Sequence, residues 1–310
     1  MCLICPGGED NNSIISYNLI DQKKMIELKE IHSQMIINFR HYLDKPNSRD
    51  LVMSFSKDCQ LIVVNANNWE IIFNLNNKNL NCVCSSCFLN NSNQINIVIC
   101  HGRYLRTYAS NFFNGFIEVY DLKKNELTKI ENENVTYFID SFYEKKSSLN
   151  YLIAGNEGYI VSYIYKNNKW NKYNRYDKQK TYNFLYSPII FEKNGVTELI
   201  ESTINGEIRI WDFHKKSILN TIKIGKEYGV GGACLWNDNY LFVASRNKEV
   251  NLINLNENKI INRNQFKHNH GVSIVKKVYH PKYGECLISK ETHDKKHKHL
   301  GLMKVWINKN

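Results

Sequence analysis

The stretch Asn205-Gly-Glu-Ile-Arg-Ile-Trp-Asp-Phe213 is a polar turn followed by an alternating segment that closes on tryptophan. Apolar residues at every second position predict a β-strand that presents one face to a core. The same ending occurs at Met303-Lys-Val-Trp306. Weaker copies end on the large residues Tyr17, Val64, Tyr120, Tyr163 and Ile253. These endings recur at roughly 42 to 56 residues, a period typical of propeller blades built from short strands.

This repeat resembles the WD40 family of β-propellers, whose blade has strands a and b, a short polar turn and a strand c that ends in Trp-Asp. Trp211-Asp212 matches that dipeptide literally, and Tyr120-Asp121 matches it with another aromatic residue. Ser56-Lys-Asp58 and Ser245-Arg-Asn247 match the turn before strand c. The resemblance spans nearly the whole chain. It implies an all-β, seven-bladed β-propeller that forms a single domain over residues 1–310.

Two strands of that propeller have no counterpart in the sequence. The candidate strand b of the first blade, Leu3–Cys5, has no strand a before it, and only residues 307–310 follow Trp306. We therefore expect the first blade to lack its innermost strand and the last blade to lack its outer strand. Either the natural polypeptide extends upstream of Met1, or a partner adds a strand to the open sheet edge.

The family also has a stabilising network that joins a histidine before strand a, a hydroxyl on strand b, an acidic residue in the turn and the tryptophan of strand c. The resemblance implies an incomplete form of it here. The candidates are His32, Ser56 and Asp58 in blade two, Thr203, Asn205 and Trp211 in blade five, and Trp306 with His268 or His270 in blade seven.

Composition is compatible with packed sheets and with an intracellular location. The 310 residues are 43% hydrophobic and 12% aromatic, and the frequent Ile, Val, Tyr and Phe favour strands. No apolar run approaches the ~18 residues of a membrane helix, and the N-terminus lacks a signal-peptide pattern. Nine scattered cysteines do not resemble a disulfide framework. We expect a protein of the cytoplasm without a membrane span.

The best binding candidate is a long insertion in blade three, residues 102–114. It combines arginine with aromatic side chains, the residue types that dominate binding hot spots. We expect Arg103, Tyr104, Arg106 and Tyr108 to contact a partner, with Trp236 and Arg246 as further contributors. The alternatives are an insertion that folds back as a local hydrophobic plug, a tryptophan packed on its strand and an ordinary turn arginine.

Metal and catalytic motifs are weak. His293, His297 and His299 could reach one metal ion, but the lysines between them oppose a dication. Cys84-Ser-Ser-Cys87 and Cys2-Leu-Ile-Cys5 have half-site spacing, but residues three apart on a strand point to opposite faces. The sequence contains neither a glycine-rich phosphate loop nor a nucleophile elbow. We expect no enzyme activity, no cofactor and no metal.

The formal net charge of +11 attracts acidic partners, although the lysines are distributed through the turns of every repeat. The sequence therefore predicts a non-enzymatic scaffold for protein–protein interaction, a WD-repeat docking platform within a larger intracellular complex. An RNA- or polyanion-binding propeller that uses its basic surface is the alternative.

Overall fold

The computed structural model describes residues 2–7, 12–18, 20–21, 23–76, 83–91, 94–101, 115–132, 136–156, 158–177, 186–203, 205–224, 229–291 and 303–307. These residues form twenty-six strands and one short 3-10 helix, Lys45–Asn47. The expectation of an all-β fold is confirmed. Among the residues so described, no helix is both long and apolar enough to cross a membrane.

The chain divides into two compact units, residues 1–173 and 174–310. The strands that begin in the first unit are β1 (Cys2–Gly7), β2 (Ser13–Asn18), β3 (Lys24–Leu28), β4 (Ile36–Asp44), β5 (Arg49–Ser56), β6 (Gln60–Asn65), β7 (Glu70–Asn76), β8 (Val83–Asn91), β9 (Gln94–His101), β10 (Gly115–Asp121), β11 (Glu126–Asn132), β12 (Thr136–Glu144), β13 (Leu149–Asn156), β14 (Tyr159–Lys166) and β15 (Lys169–Asp177).

The strands of the second unit are β16 (Tyr186–Lys193), β17 (Val196–Ser202), β18 (Glu207–Asp212), β19 (Ile218–Lys223), β20 (Val230–Asn237), β21 (Tyr240–Ser245), β22 (Glu249–Asn254), β23 (Lys259–Lys267), β24 (Val272–His280), β25 (Gly284–Glu291) and β26 (Met303–Ile307). The alternating segment that ends on Trp211 is β18, and the one that ends on Trp306 is β26.

Consecutive strands pair as meanders. The described residues form four-stranded sheets from β4–β7, β8–β11, β12–β15, β16–β19 and β20–β23, and three-stranded sheets from β1–β3 and β24–β26. The strand pairs are antiparallel, as in Leu199↔Trp211 between β17 and β18. Successive antiparallel meanders of this kind are the blades of a β-propeller, so the propeller expectation is confirmed at that level.

The core lies between neighbouring sheets. Leu51, Met53 and Phe55 of β5 pack with Ile97 and Ile99 of β9 in one buried cluster. The run Leu61-Ile-Val-Val64 of β6 is buried on both faces, because neighbouring apolar clusters take alternate side chains of the same strand. Burial of one such side chain contributes about 1.5–3 kcal/mol.

Side chains on the first strand of one sheet donate to carbonyls on the first strand of a neighbouring sheet. Arg40 Nε on β4 donates to Ser86 O on β8 at 2.9 Å, and Ser141 Oγ on β12 donates to Phe88 O at 2.6 Å. In the second unit Lys277 Nζ on β24 donates to Trp236 O on β20 at 2.7 Å. These strands end their sheets, so such bonds supply partners for edge carbonyls that lack a neighbouring strand.

The last sheet contains a complete buried hydrogen-bond network. Ser289 Oγ accepts from Trp306 Nε1 at 2.7 Å and bonds His268 Nε2 at 2.7 Å. His268 Nδ1 lies 3.2 Å from Glu291 Oε1. His268, rather than His270, is therefore the network histidine, and glutamate supplies the carboxylate.

The network in the β4–β7 sheet uses a different hydroxyl from the one that the sequence implied. His32 Nε2 bonds Ser54 Oγ at 2.9 Å, and its Nδ1 lies 3.3 Å from Asp58 Oδ2. The expected hydroxyl, Ser56, instead donates to Gln34 O at 2.8 Å. Ser54 lies within β5 and Ser56 is its last residue, so strand position decides which hydroxyl reaches the imidazole.

In the β16–β19 sheet a carboxylate replaces the missing histidine. Trp211 Nε1 donates to Glu201 Oε2 at 2.9 Å, and Arg209 Nη1 lies 3.5 Å from Glu201 Oε1. Thr203, which the sequence placed in the network, instead accepts a hydrogen bond from the backbone of Glu207 at 3.2 Å. The tryptophan of this sheet is thus satisfied by an acidic residue one strand away.

Candidate functional site

A cleft of about 400 Å³ opens in the first unit where β4, β8 and β12 end. Three consecutive sheets form it, each through its first strand, so its walls are fixed by strand pairing. We call it the inner-strand cleft. The lining residues that bear on its chemistry are Arg40, Tyr42, Cys87, Phe88, Asp140 and Tyr143.

Arg40 is held at the cleft by its hydrogen bond to β8. Its Nε donates to Ser86 O, which uses one edge of the guanidinium and leaves the two Nη groups. No residue in the described part of the chain accepts a hydrogen bond from them or pairs with them. A half-buried guanidinium with a fixed plane and two remaining nitrogens is arranged for bidentate contact with a planar anion.

Aromatic rings line the cleft beside Arg40. The Tyr42 and Phe88 ring centroids lie 5.5 Å apart at an angle of 37°, which joins the β4 wall to β8. Tyr143, on β12, is 53% exposed. Burial raises the pKa of the Tyr42 hydroxyl, while a hydrogen bond with Asn90 opposes that shift. Tyr42 is therefore a neutral phenol at physiological pH.

Cys87 is the thiol among the six lining residues named for the cleft, and its environment disfavours the reactive thiolate. Burial raises the pKa of the Cys87 thiol well above its ordinary value, and the nearby Asp140 charge raises it further. Arg40 acts in the opposite direction but does not cancel these effects. Because the thiolate is the reactive form, Cys87 is inert here.

Two other titratable side chains at the cleft, Asp140 and His41, take part in polar interactions. Asp140 Oδ1 accepts from the backbone N–H of Ser141 at 2.9 Å, and Asp140 makes a further interaction. His41 lies at the rim with 62% of its side chain exposed and pairs with Asp50. The Nη groups of Arg40 thus remain available, because no described residue accepts a hydrogen bond from them.

The binding residues expected in the blade-three insertion, Arg103, Tyr104, Arg106 and Tyr108, lie outside the described residues. The candidate metal ligands His293, His297 and His299 also lie outside them. Within the described ranges, no group of three or more His, Cys, Asp or Glu residues is arranged to hold a metal ion.

Trp236 and Arg246 lie on β20 and in the turn after β21. The Trp236 ring meets Phe242 edge-on at 5.4 Å, and Lys277 Nζ lies 5.0 Å from its centroid. Arg246 is exposed, and its backbone N–H donates to Gly229 O at 3.2 Å. In the β20–β21 pair Val230 faces Ser245 and Leu235 faces Leu241, so Trp236 and Arg246 lie at opposite ends of the sheet.

Sequence reasoning missed the inner-strand cleft. Arg40, Phe88 and Asp140 come from three sheets, about 50 residues apart along the chain, and no local motif joins them. The available signal was the presence of a charged residue, Arg40 or Asp140, near the end of two candidate first strands. That signal indicates a shared site only when the packing of neighbouring sheets is known.

No protein-family model matches the chain, and no curated protein sequence matches it. Among solved structures, the chain is similar to the crystal structure of the computationally designed Ika8 protein, with a TM-score of 0.66 and 12% sequence identity. The match covers 99% of this chain and 80% of that chain. At this identity the likeness concerns the fold alone.

Proposed function

We propose that this chain is a non-enzymatic platform for protein–protein interaction. The observation that carries the proposal is the inner-strand cleft, in which an oriented arginine and three aromatic rings lie on rigid paired strands. Arginine and aromatic residues supply most of the energy of typical protein interfaces, and a rigid site loses little entropy on binding. The platform is proposed to serve as a subunit of a larger assembly in the cytoplasm.

The finer architecture belongs to the same proposal. We infer a WD40-like propeller of seven blades that forms one domain over residues 1–310. The bonds of Trp306 and His268 to Ser289 support this inference, because they join the residue types that the WD40 pattern joins. The literal Trp211-Asp212 ending of β18 supports it independently.

The interface is proposed to include the blade-three insertion through Arg103, Tyr104, Arg106 and Tyr108. Trp236 and Arg246 are proposed as further contacts on the second unit. Support for Arg246 comes from its exposure, and support for Trp236 from the cation–π contact with Lys277, which places charge beside an aromatic face.

The test is affinity purification of tagged wild-type protein followed by mass spectrometry, compared with a variant in which all four insertion residues are alanine. We expect partners of the wild type to be lost while the thermal unfolding temperature stays unchanged. The control is Arg175→Ala together with Tyr173→Ala, which removes an arginine and an aromatic side chain from β15 instead. Equal recovery of partners by wild type and the insertion variant would refute the assignment of these residues.

The alternative, an RNA- or polyanion-binding propeller, has one observation in its favour. In the turn after β24, Lys282 Nζ lies 5.3 Å from the ring centroid of Tyr283, which is exposed. Cations combined with stackable rings are typical of single-strand binding surfaces. Affinity for unstructured RNA should then fall steeply between low and physiological salt. Absence of binding at low salt eliminates this alternative.

A further inference from the structure

We propose that the inner-strand cleft is the seat for a carboxylate of the partner, an Asp or Glu side chain in a peptide segment that also carries an aromatic or aliphatic neighbour. The inference rests on the proposed docking function and names the chemistry of one subsite. Arg40 is the anchor, and Tyr42, Phe88 and Tyr143 take the apolar neighbour.

The geometry of Arg40 suits a carboxylate. Its Nε bond to Ser86 O fixes the plane of the guanidinium and directs the binding capacity that remains to the two Nη groups. A carboxylate is planar and accepts two parallel hydrogen bonds, so it matches this fork. An uncharged amide offers only one acceptor oxygen and lacks the charge.

The polar groups around Arg40 leave it available to an acidic ligand. Asp140 accepts a backbone hydrogen bond and makes a further interaction, and Asp50 pairs with His41. Arg40 is a cation at the cleft whose Nη groups no described residue binds, so an acidic ligand can still neutralise it. The formal net charge of +11 also draws an acidic segment toward the protein over long range.

The size of the cleft and its aromatic side chains suit an apolar residue next to the carboxylate. A volume of about 400 Å³ lies within the range of sites that bury a small ligand or a few side chains. Tyr42 and Phe88 already contact one another, and the exposed ring of Tyr143 is available from the opposite wall. An apolar side chain next to the carboxylate would cover these rings, exclude water and strengthen the ion pair.

The experiment uses two peptides, acetyl-Leu-Glu-Phe-amide and acetyl-Leu-Gln-Phe-amide, in which a carboxylate is replaced by a carboxamide. Each is titrated into the 310-residue protein and followed by NMR. We expect the Glu peptide to bind about tenfold more tightly than the Gln peptide, the difference expected for one charge-assisted pair. Equal affinity of the two peptides, or no binding of either at millimolar concentration, overturns the proposal. A third arm, 3-phenylpropanoate, must bind more weakly than the Glu peptide, since equal binding would indicate a small-molecule site.

Variants test whether the preference for the Glu peptide arises at Arg40. Arg40→Gln should remove the preference for the Glu peptide, and Arg175→Gln, which removes an exposed arginine paired with Asp177, should retain it. Unfolding temperature reports whether Arg40→Gln remains folded. If it does not, Tyr143→Ala is used instead. Removal of this exposed ring should weaken the binding of both peptides without affecting the fold. Wild-type affinity in the folded Arg40→Gln protein, or in Tyr143→Ala, contradicts the site.

The experiments distinguish failure of the carboxylate subsite from failure of the docking function. If neither peptide binds but the wild-type protein still recovers partners that the insertion variant loses, the docking function is supported and the carboxylate subsite is refuted. If no partner is recovered while the Glu peptide binds through Arg40, the subsite stands and the wider docking proposal falls.

Discussion

Single side chains supply the hydrogen-bond partners of buried polar groups in several sheets. Ser289 is the clearest case, because one fully buried hydroxyl bonds both Trp306 Nε1 and His268 Nε2. Ser54 bonds His32 in another sheet, and Glu201 accepts from Trp211 in a third. The residue types vary between sheets, but in each case a buried donor finds a partner, since an unpaired one would cost stability.

We predict that Ser289→Ala lowers the free energy of unfolding by about 1–3 kcal/mol, because it leaves buried groups of Trp306 and His268 without their partner. The measurement is urea unfolding monitored by tryptophan fluorescence. Ser273→Ala is the matched control in the same sheet, since Ser273 makes a more exposed hydrogen bond with Lys290 O at 3.3 Å. A loss in Ser289→Ala no larger than in the control would contradict the network.

The same histidines predict a dependence of stability on pH. Burial lowers the pKa of His268 and of His32 below the ordinary value of 6.5, although Glu291 and Asp58 act in the opposite direction. The unfolded chain therefore takes up protons that the folded protein excludes. The contribution of these groups to stability is present above pH 6.5 and is lost as the pH falls below it.

We expect the free energy of unfolding to decline between pH 7 and pH 5.5, and His268→Gln to reduce that slope. Urea titrations at several pH values measure it. His280→Gln, in which the histidine of the β24–β25 turn is replaced, controls for the loss of an imidazole. The expectation fails if His268→Gln and wild type show the same slope.

At the scale of elements, the close approach of β20 and β24 depends on glycine. A Cβ on Gly231 would lie 2.8 Å from the carbonyl oxygens of Val272 and Ser273, which belong to backbone and cannot move independently. A Cβ on the adjacent Gly232 would meet its nearest atom, Ser273 O, at 3.4 Å. Two neighbouring glycines thus differ sharply in the space around them.

We predict that Gly231→Ala destabilises the protein by about 1–3 kcal/mol through overpacking, and that Gly232→Ala costs clearly less. Thermal unfolding of the two variants under identical conditions tests this ordering. The reverse order would show that the two sheets can separate without cost. The comparison is internal, because both substitutions add one methyl group to the same strand.

Strand assignment depended on local pattern and succeeded at that scale. The candidates for the second strand of each meander, such as Leu51–Phe55 and Tyr240–Ala244, fall within β5 and β21. The pattern did not show that runs such as Leu61–Val64 are buried on both faces, since the second face is covered by a neighbouring sheet. Period and turn residues define a strand, whereas its environment depends on what packs against it.

At the scale of the whole molecule, the described residues form seven sheets in two compact units. The proposed single domain predicts one cooperative transition for the 310-residue chain, because sheets that share buried clusters with their neighbours unfold together. Differential scanning calorimetry measures it, with the calorimetric enthalpy compared against the van't Hoff enthalpy. Two separate transitions, each assigned to one unit by limited proteolysis, would contradict the single domain.

The sequence by itself determined the all-β class, the positions of most strands and the repeated meander, because these depend on alternation, turn residues and period within one segment. Only the tertiary structure decided which hydroxyl meets which histidine, that a glutamate satisfies Trp211, and that Arg40 faces Phe88 and Asp140 across a cleft. Those pairings join residues on different strands or sheets. Their geometry follows from how sheets pack, which local pattern does not encode.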